Sequence, residues 1–451
     1  MEIMIAGTGK VGLTLASQLA SEGHNITLVD KDPFLLEEAV EKIEAMAVCG
    51  NCASKDVLLQ AGVRNAQVLI AVTDADEVNL LCCMTAHGIN PAIHTIARIR
   101  SPEYADQVLT MPEVFPLSLT VNPEKQAALE IERLLKFPGF LRRDTFAKGR
   151  VEIVELRVES DSKLCNVALS DLSSVVRCKV LVCAVLREGT AVAPRGNFVL
   201  RQGDRVFVTA PTSTLALLLK NLGIITRRVR NVLICGGGRV SFYLAKLLEK
   251  DGIDVRLIDR DRERCTQLAS LLEKTSVVLG DCSSQSLLDN QGIHHVDALA
   301  SLTGMDETNM VISLYGSACN VPQVITKLSR GERNIAATLP LGSVICPKEL
   351  CSNHIVRYVR AMQNQTGAAV SIHTIADGQA EAVEFLVDSA TNNCGVPLKQ
   401  LKLKPNVLLA SITRGTETEI PGGDSAFAEG DTVVVVTSGR GVLNNINDIF
   451  A

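Results

Sequence analysis

A chain of 451 residues, 47% hydrophobic and 21% charged with no tryptophan, is long enough for about three or four domains and a substantial core. The formal net charge of −5, without a long Lys/Arg run, gives a nucleic-acid surface little support, and no apolar run approaches the roughly eighteen residues that cross a bilayer. Val, Ile, Leu and Ala carry the apolar share, as parallel sheets covered on both faces require, so the expected class is α/β.

Met1 leads directly into a strand, which leaves no room for a signal peptide. The 14 cysteines are scattered, several of them inside apolar strands (Cys183, Cys235), as suits buried thiols in a reducing cytoplasm. The opening stretch runs from a short apolar strand into Gly7-Thr8-Gly9-Lys10-Val11-Gly12 and then a helix with apolar Val11, Leu15 and Leu19. This is a dinucleotide-binding turn in its proper context. Gly7 permits the tight turn, Gly9 lets a pyrophosphate approach the backbone, and Gly12 lets the helix pack closely on the sheet. The free N–H groups of the helix start then face the phosphates. Asp30 closes the next strand, Asn25 to Val29, about twenty residues after the glycines, where a carboxylate accepts ribose hydroxyls. A glycine turn without a ligand is the competing reading; strand, glycines, helix, strand and acid in this order favour the ligand.

Strand and helix keep alternating. A helix from Pro33 to about Glu44, a strand Ala45 to Cys49, a helix from Ser54, a strand Gln67 to Val72 and a helix Asp76 to His87 follow one another. Ile93 to Ile99, carrying Arg98, is a fifth strand and Leu117 to Val121 a sixth. The prediction is a doubly wound parallel sheet with its crevice at the carboxyl ends of the strands. Asn122-Pro123-Glu124 starts a helix to about Lys136, which Phe137-Pro138-Gly139 breaks. Its apolar set, Leu129, Ile131, Leu134 and Leu135, leaves two placements open: a bridge to a second subunit or packing on its own sheet.

From Val151 the grain changes to short alternating strands and turns, a small α+β module ending near Leu222, with Arg227, Arg228 and Arg230 as a solvated basic linker. Then the pattern begins again. Val232 to Ser241 restates residues 3 to 12, 229 residues later, with Gly236-Gly237-Gly238-Arg239-Val240 as its turn. Asp259 answers Asp30, Gly280-Asp281-Cys282 answers Gly50-Asn51-Cys52, Thr303 answers Thr73, and Asp306-Glu307-x-Asn309 answers Asp76-Glu77-x-Asn79. Val383 to Val387 and Gly430-Asp431 repeat the small module. The expected chain is a tandem duplication of a Rossmann-type domain followed by a small α+β domain. Its limits are a first Rossmann domain 1–122, a connector 123–140, a first small domain 141–222, a second Rossmann domain 229–346, a connector 347–367 and a second small domain 368–451.

These motifs resemble the cytosolic TrkA family of Trk potassium uptake systems, which are built from two RCK units. The marks are the opening glycines, Val72-Thr73-Asp74-x-Asp76-Glu77-x-Asn79, Ala97-Arg98-Ile99-Arg100-Ser101-Pro102-Glu103-Tyr104 and the second copy with Asp259 and Thr303. The resemblance covers the full chain. It implies a homotetrameric ring of eight RCK units beneath a separate membrane-spanning, potassium-conducting subunit, the ring being peripheral on the inner face of the plasma membrane. It also implies binding of NAD or NADH, with ATP or ADP as further ligands. Matched residue by residue, Gly7, Thr8, Gly9, Lys10, Val11 and Gly12 would lie at the phosphates, Asp30 at the ribose, and Asn51, Cys52, Thr73 and Asp74 on the adenosine side. Arg98 would reach a phosphate, or else neutralise Asp74 or Asp76. The second site would use Gly236, Gly237, Gly238, Arg239, Val240, Asp259, Asp281, Cys282 and Thr303. It departs from the first in Ser241 for the third glycine, Gly304 for Asp74 and Lys327 near the place of Arg98. The acids at both ribose positions argue against NADP, despite the neighbouring Lys31 and Arg260.

Weaker signals have structural explanations. Cys49-x-x-Cys52 stands without a second pair at zinc spacing, His294-His295 reads as a polar turn, and Asp74, Asp76 and Glu77 suit a helix start. The rival function is an NAD-dependent oxidoreductase. Such an enzyme needs a proton donor held against the nicotinamide, yet no histidine sits beside an acid in the sequence and the seven histidines do not repeat between halves. A duplicated ligand site without duplicated catalytic groups suits a sensor.

Overall fold

A computed structural model describes residues 1–136, 140–224, 228–329, 339–362, 369–438, 443 and 445–451. The expected break at Phe137-Pro138-Gly139 and the linker residue Arg227 lie outside these described residues. The chain divides into two compact units, Met1–Ala127 with Cys346–Val359, and Ala128–Ile345 with Arg360–Ala451.

In the first unit β1 (Glu2–Ala6), α1 (Lys10–Ser21), β2 (Asn25–Asp30), α2 (Pro33–Lys42), β3 (Met46–Cys49), α3 (Lys55–Gln60), β4 (Val68–Ala71), α4 (Asp76–Ile89), β5 (His94–Arg98), α5 (Pro102–Thr110) and β6 (Leu119–Val121) alternate as expected. The sheet order is β3-β2-β1-β4-β5-β6, all parallel, so the strand order reverses beside β1. Unbroken apolar runs make this possible: Ile3 to Ala6 and Val68 to Ala71 are buried on both faces. Each such aliphatic side chain contributes about 1.5–3 kcal/mol on burial. The helix α5 was not anticipated, although Ser101-Pro102-Glu103 carries the same start signal as Asn122-Pro123-Glu124.

Helix α6 (Pro123–Lys136) belongs with the first unit up to Ala127 and with the second from Ala128. In the second unit Ile131, Leu134 and Leu135 are buried, whereas Leu129 is 39% exposed. There the carbonyl of Leu134 accepts from the Gln323 side chain at 2.9 Å and Lys136 pairs with Asp251 at 3.1 Å. The helix's second half therefore packs against the second Rossmann domain of its own chain and not on the first sheet.

The first small sheet holds β7 (Arg142–Phe146), β8 (Val151–Arg157), β9 (Leu181–Arg187), β10 (Thr190–Val192) and β11 (Arg205–Pro211), antiparallel in the order β10-β9-β11-β8-β7. Helices α7 (Leu172–Val176) and α8 (Leu215–Leu222) accompany it. The second Rossmann sheet repeats the first with β12 (Asn231–Cys235), α9 (Arg239–Lys250), β13 (Asp254–Asp259), α10 (Arg262–Leu271), β14 (Ser276–Leu279), α11 (Gln285–Asn290), β15 (Ala298–Ser301), α12 (Asp306–Ala318), β16 (Gln323–Lys327) and β17 (Ser343–Ile345). Its order, β14-β13-β12-β15-β16-β17, is that of the first sheet. After α13 (Pro347–Met362) come β18 (Ala369–Ile375), β19 (Ala380–Leu386), β20 (Val407–Arg414), β21 (Glu417–Glu419) and β22 (Thr432–Ser438), ordered β18-β19-β22-β20-β21. The fold is thus a tandem duplication of a Rossmann-type doubly wound sheet, each followed by a small α+β domain.

Six of the seven residues of β8 are buried, so both of its faces are covered. Val154 and Leu156 pack with Leu215, Leu218 and Leu219 of α8, while Val151 and Ile153 pack against the second small sheet. The polar residues of the pattern are neutralised in place: Glu152 binds the Arg143 guanidinium through two bonds of 2.7 and 2.8 Å, and Glu155 binds Arg205.

Candidate functional site

The carboxyl edge of the first parallel sheet brings together most of the residues singled out in its sequence. Gly7 leaves β1 with φ +100°, and a Cβ there would stand 2.9 Å from the Thr73 nitrogen, so the turn at β1 lies directly against the end of β4. Gly12 faces inward: an added Cβ would meet the Gly7 carbonyl oxygen at 1.8 Å. Gly9 faces the opposite constraint, since nothing lies within 4 Å of a Cβ built on it. It caps α1 from an extended conformation with no side-chain bond, which leaves the first-turn N–H groups of Lys10, Val11 and Gly12 for an external acceptor. Lys10 is exposed beside them.

Asp30, at the end of β2, is tied to this turn. Its Oδ2 accepts from the Thr8 N–H at 2.7 Å and from the Thr8 hydroxyl at 2.9 Å, and its Oδ1 accepts from the Asp32 N–H at 3.1 Å. A carboxylate offers about four lone-pair positions. One therefore remains on Asp30, enough for a single hydroxyl while Thr8 holds on. Asp259 is freer: among the described residues its carboxylate accepts from the Gly237 N–H at 2.5 Å and the Asp261 N–H at 2.8 Å alone. The second turn has no hydroxyl to add, because a side chain at Gly237 would collide with Leu268 at 2.8 Å. Instead Arg264 donates to the Gly237 carbonyl at 2.6 Å.

Asn79 and Asn309, present in sequence only as members of a repeated motif and not among the expected site residues, organise the two edges. Asn79 is fully buried in α4; its Oδ1 accepts from the Thr73 N–H at 2.8 Å and hydroxyl at 2.7 Å, while its Nδ2 donates to the carbonyls of Thr73 (3.3 Å) and Arg98 (2.9 Å). Asn309 makes the same four bonds to Thr303 and Lys327, at 2.8, 2.7, 3.2 and 2.9 Å. Its recurrence in Asp-Glu-x-Asn was the available signal. Asp76 is likewise structural: its Oδ2 accepts from the N–H groups of Arg100 and Ser101 at 2.8 and 2.7 Å, and Asp306 accepts from Ser329 at 2.9 Å. Arg100 also donates to the Asp74 carbonyl, and Glu77 accepts from the Tyr104 hydroxyl at 2.7 Å; backbone hydrogen bonding first, and then this hydroxyl, hold the Glu77 carboxyl below its ordinary range.

Arg98 is half-buried at the end of β5 with its Nε enclosed and without a partner, and the described residues give it no ion pair. It therefore forms no ion pair with Asp74 or Asp76, although the charges of Glu124 and Asp76 act on it from farther away. Burial and then the charge of Arg100 lower its pKa, so a guanidinium is held here against its own preference. Lys327 in the second copy reaches the Leu302 carbonyl at 3.4 Å. Ser241, in place of the third glycine, is fully buried with its hydroxyl unpartnered.

Asn51 and Asp281 each close a local turn, accepting from Ala53 at 3.0 Å and Ser283 at 2.9 Å, with exposed side chains. Cys52 is buried against Cys82, and Cys282 against Cys235. Cys49 is exposed, so the two thiols of the C-x-x-C stretch occupy different surroundings. Among the described residues no three His, Cys, Asp or Glu side chains converge as a metal site would require, and no helix is long and apolar enough to cross a membrane. A histidine does meet an acid in space, His373 Nδ1 with Asp144 Oδ1 at 2.9 Å, but this pair is buried among the small-domain strands.

With this geometry established, comparison with known proteins is specific. The TrkA-N domain family matches residues 3–112 and 232–347, and the TrkA-C domain family matches 153–223 and 382–446. The chain is 30% identical to a Trk system potassium uptake protein TrkA of Vibrio alginolyticus over 100% of its length and 98% of that protein. It is 33% identical to a TrkA homolog of Archaeoglobus fulgidus, with both chains fully covered. A solved structure described as the GsuK channel bound to NAD shares the fold with a TM-score of 0.61 at 18% identity, covering 97% of this chain and 76% of that one. Two glycine-turn sheets, each followed along the chain by a small antiparallel sheet, the matched family domains, and full-length identity at this level place the chain in the TrkA family of Trk-system potassium uptake proteins.

Proposed function

We propose that the chain is a nucleotide-responsive regulatory subunit of potassium uptake, acting in the cytoplasm on a separate membrane-spanning subunit of Trk type. Four chains form the ring, and NAD(H) or an adenine nucleotide such as ATP or ADP at the glycine turns shifts it between two arrangements, by virtue of differing affinity for each. The observation that carries this reading is the duplicated constellation of open glycine turn, strand-end acid and asparagine-held threonine. Catalytic groups are not duplicated with it, which supports a sensor over an oxidoreductase.

In the first site the backbone from Gly7 to Gly12 takes the phosphates, Asp30 takes a ribose hydroxyl, and Asn51, Cys52, Thr73 and Asp74 border the adenosine. The fit rests on the open space at Gly9 and on the unpartnered Arg98 nitrogen, which a phosphate would satisfy. In the second site Gly236 to Val240, Asp259, Asp281, Cys282 and Thr303 take the same parts.

Calorimetric titration of the purified chain with NAD, NADH, ATP, ADP and NADP tests this. Wild type should bind NAD(H) or an adenine nucleotide saturably, Asp30→Ala and Asp259→Ala should each weaken one class of site about tenfold or more, and NADP should bind least. No binding at either site would end the sensor reading. Unchanged potassium-limited growth of a deletion strain lacking other uptake systems would end the transport role.

A further inference from the structure

Within the second unit the two small sheets face each other through matching positions of the repeat. Asp144 and His373, 229 residues apart, occupy the same register: Asp144 pairs with Ile153 on its neighbouring strand, and His373 with Ala382. They meet across the contact at 2.9 Å. Arg150 and Gln379 also match, and each donates to a hairpin carbonyl of the opposite sheet, Arg150 to Gly415 and Gln379 to Gly189. Reciprocity of this kind marks an approximate two-fold axis, the arrangement two identical domains would adopt.

The two faces are nevertheless unequal. Phe146, Val151, Ile153 and Phe207 of the first sheet are answered by Ile375, Ala380, Ala382 and Val434, all eight buried in one cluster. At each of these four positions the first sheet carries the larger side chain. A first-type face against its own copy would crowd four large pairs about the axis and set one buried Asp144 against another. A second-type face against its own copy would leave voids lined by alanine. Only the mixed pair fills the space at interior density while giving Asp144 a histidine and the Arg142 guanidinium (2.8 Å) as partners.

We infer that this face of the first small domain is built to accept the second small domain and to reject a copy of itself, so that like domains of separate chains do not pair. Three full-length variants test it by scanning calorimetry. One carries Ile375→Phe, Ala380→Val, Ala382→Ile and Val434→Phe, giving two large faces; the second carries Phe146→Ile, Val151→Ala, Ile153→Ala and Phe207→Val, giving two small ones; the third carries all eight, exchanging the faces. The like-faced chains should melt lower than the parent by about 10 °C or more, and the exchanged chain should recover at least half of that loss. An exchanged chain no more stable than the like-faced chains, or like-faced chains that melt with the parent, would overturn the inference. Should the fourfold variants not fold, the single exchange of Val151→Ala with Ala380→Val is read in the same way against its two components. His373→Asp should cost more than His373→Asn, since only the former sets two carboxylates together; equal losses would remove the charge half of the inference.

Discussion

Gly9 and Gly12 sit three residues apart in one turn and answer to different masters. Gly12 is held by packing, for a Cβ would overlap the Gly7 carbonyl, whereas Gly9, with φ −64°, has room and an ordinary backbone. Gly12→Ala should therefore destabilise the first unit by about 2 kcal/mol or more through backbone displacement. Gly9→Ala should cost under about 1 kcal/mol, the penalty of alanine at a helix cap, yet weaken nucleotide binding at the first site severalfold by filling the approach to the N–H groups. Thermal melts paired with titration separate the two effects; a Gly9→Ala chain that binds like wild type would show that no phosphate sits at that turn. Ser241 shows that the packing demand is negotiable, since its copy of the turn admits a side chain and leaves a hydroxyl buried without a partner.

At the scale of elements, the parallel strands were legible because nothing but apolar residues occupies them, and the glycine turns because strand, glycines and acid recur in order. Strand β7 was not legible. Arg142-Arg143-Asp144-Thr145-Phe146 reads as solvated surface, and only the structure shows that its charges are sunk and paired, Arg143 with Glu152, and Asp144 with Arg142 and His373. The same long-range pairing hid the dry second face of β8, which exists because another sheet 229 residues away covers it. The acid end of the pH scale should report on this element. Burial alone would raise the Asp144 pKa, but Arg142 and then His373 overcome it and hold the carboxyl well below its usual range. A depressed folded-state value means that the stabilisation is fully present above the ordinary aspartate pKa of about 3.9 and is lost as pH falls below it. The second unit's melting temperature should therefore owe none of its change between pH 7 and pH 5 to Asp144, and fall steeply below about pH 4. Asp144→Asn should lower the neutral-pH melting temperature and flatten that acid limb; an unchanged limb would show that other carboxylates set it.

For the whole molecule, two compact units with one glycine turn each imply that unfolding is not a single transition. Calorimetry should resolve more than one, and a nucleotide at a hundred times its dissociation constant should raise the stability of the unit that binds it by about 2.7 kcal/mol. With Asp259→Ala the rise should persist in the first unit and vanish from the second; a common shift of all transitions would mean that the units melt as one.

Asn79 and Asn309 carry one more consequence. Each grips the threonine at one strand end and the carbonyl at the next with a single side chain, so adjacent strand tips are bolted together. A force applied at Thr73 is felt at once by the Arg98 strand, and that side of the crevice has little compliance to absorb it. On the reading proposed above, a ligand seated in the crevice would therefore meet these two strand tips as one stiff piece rather than as two that yield separately.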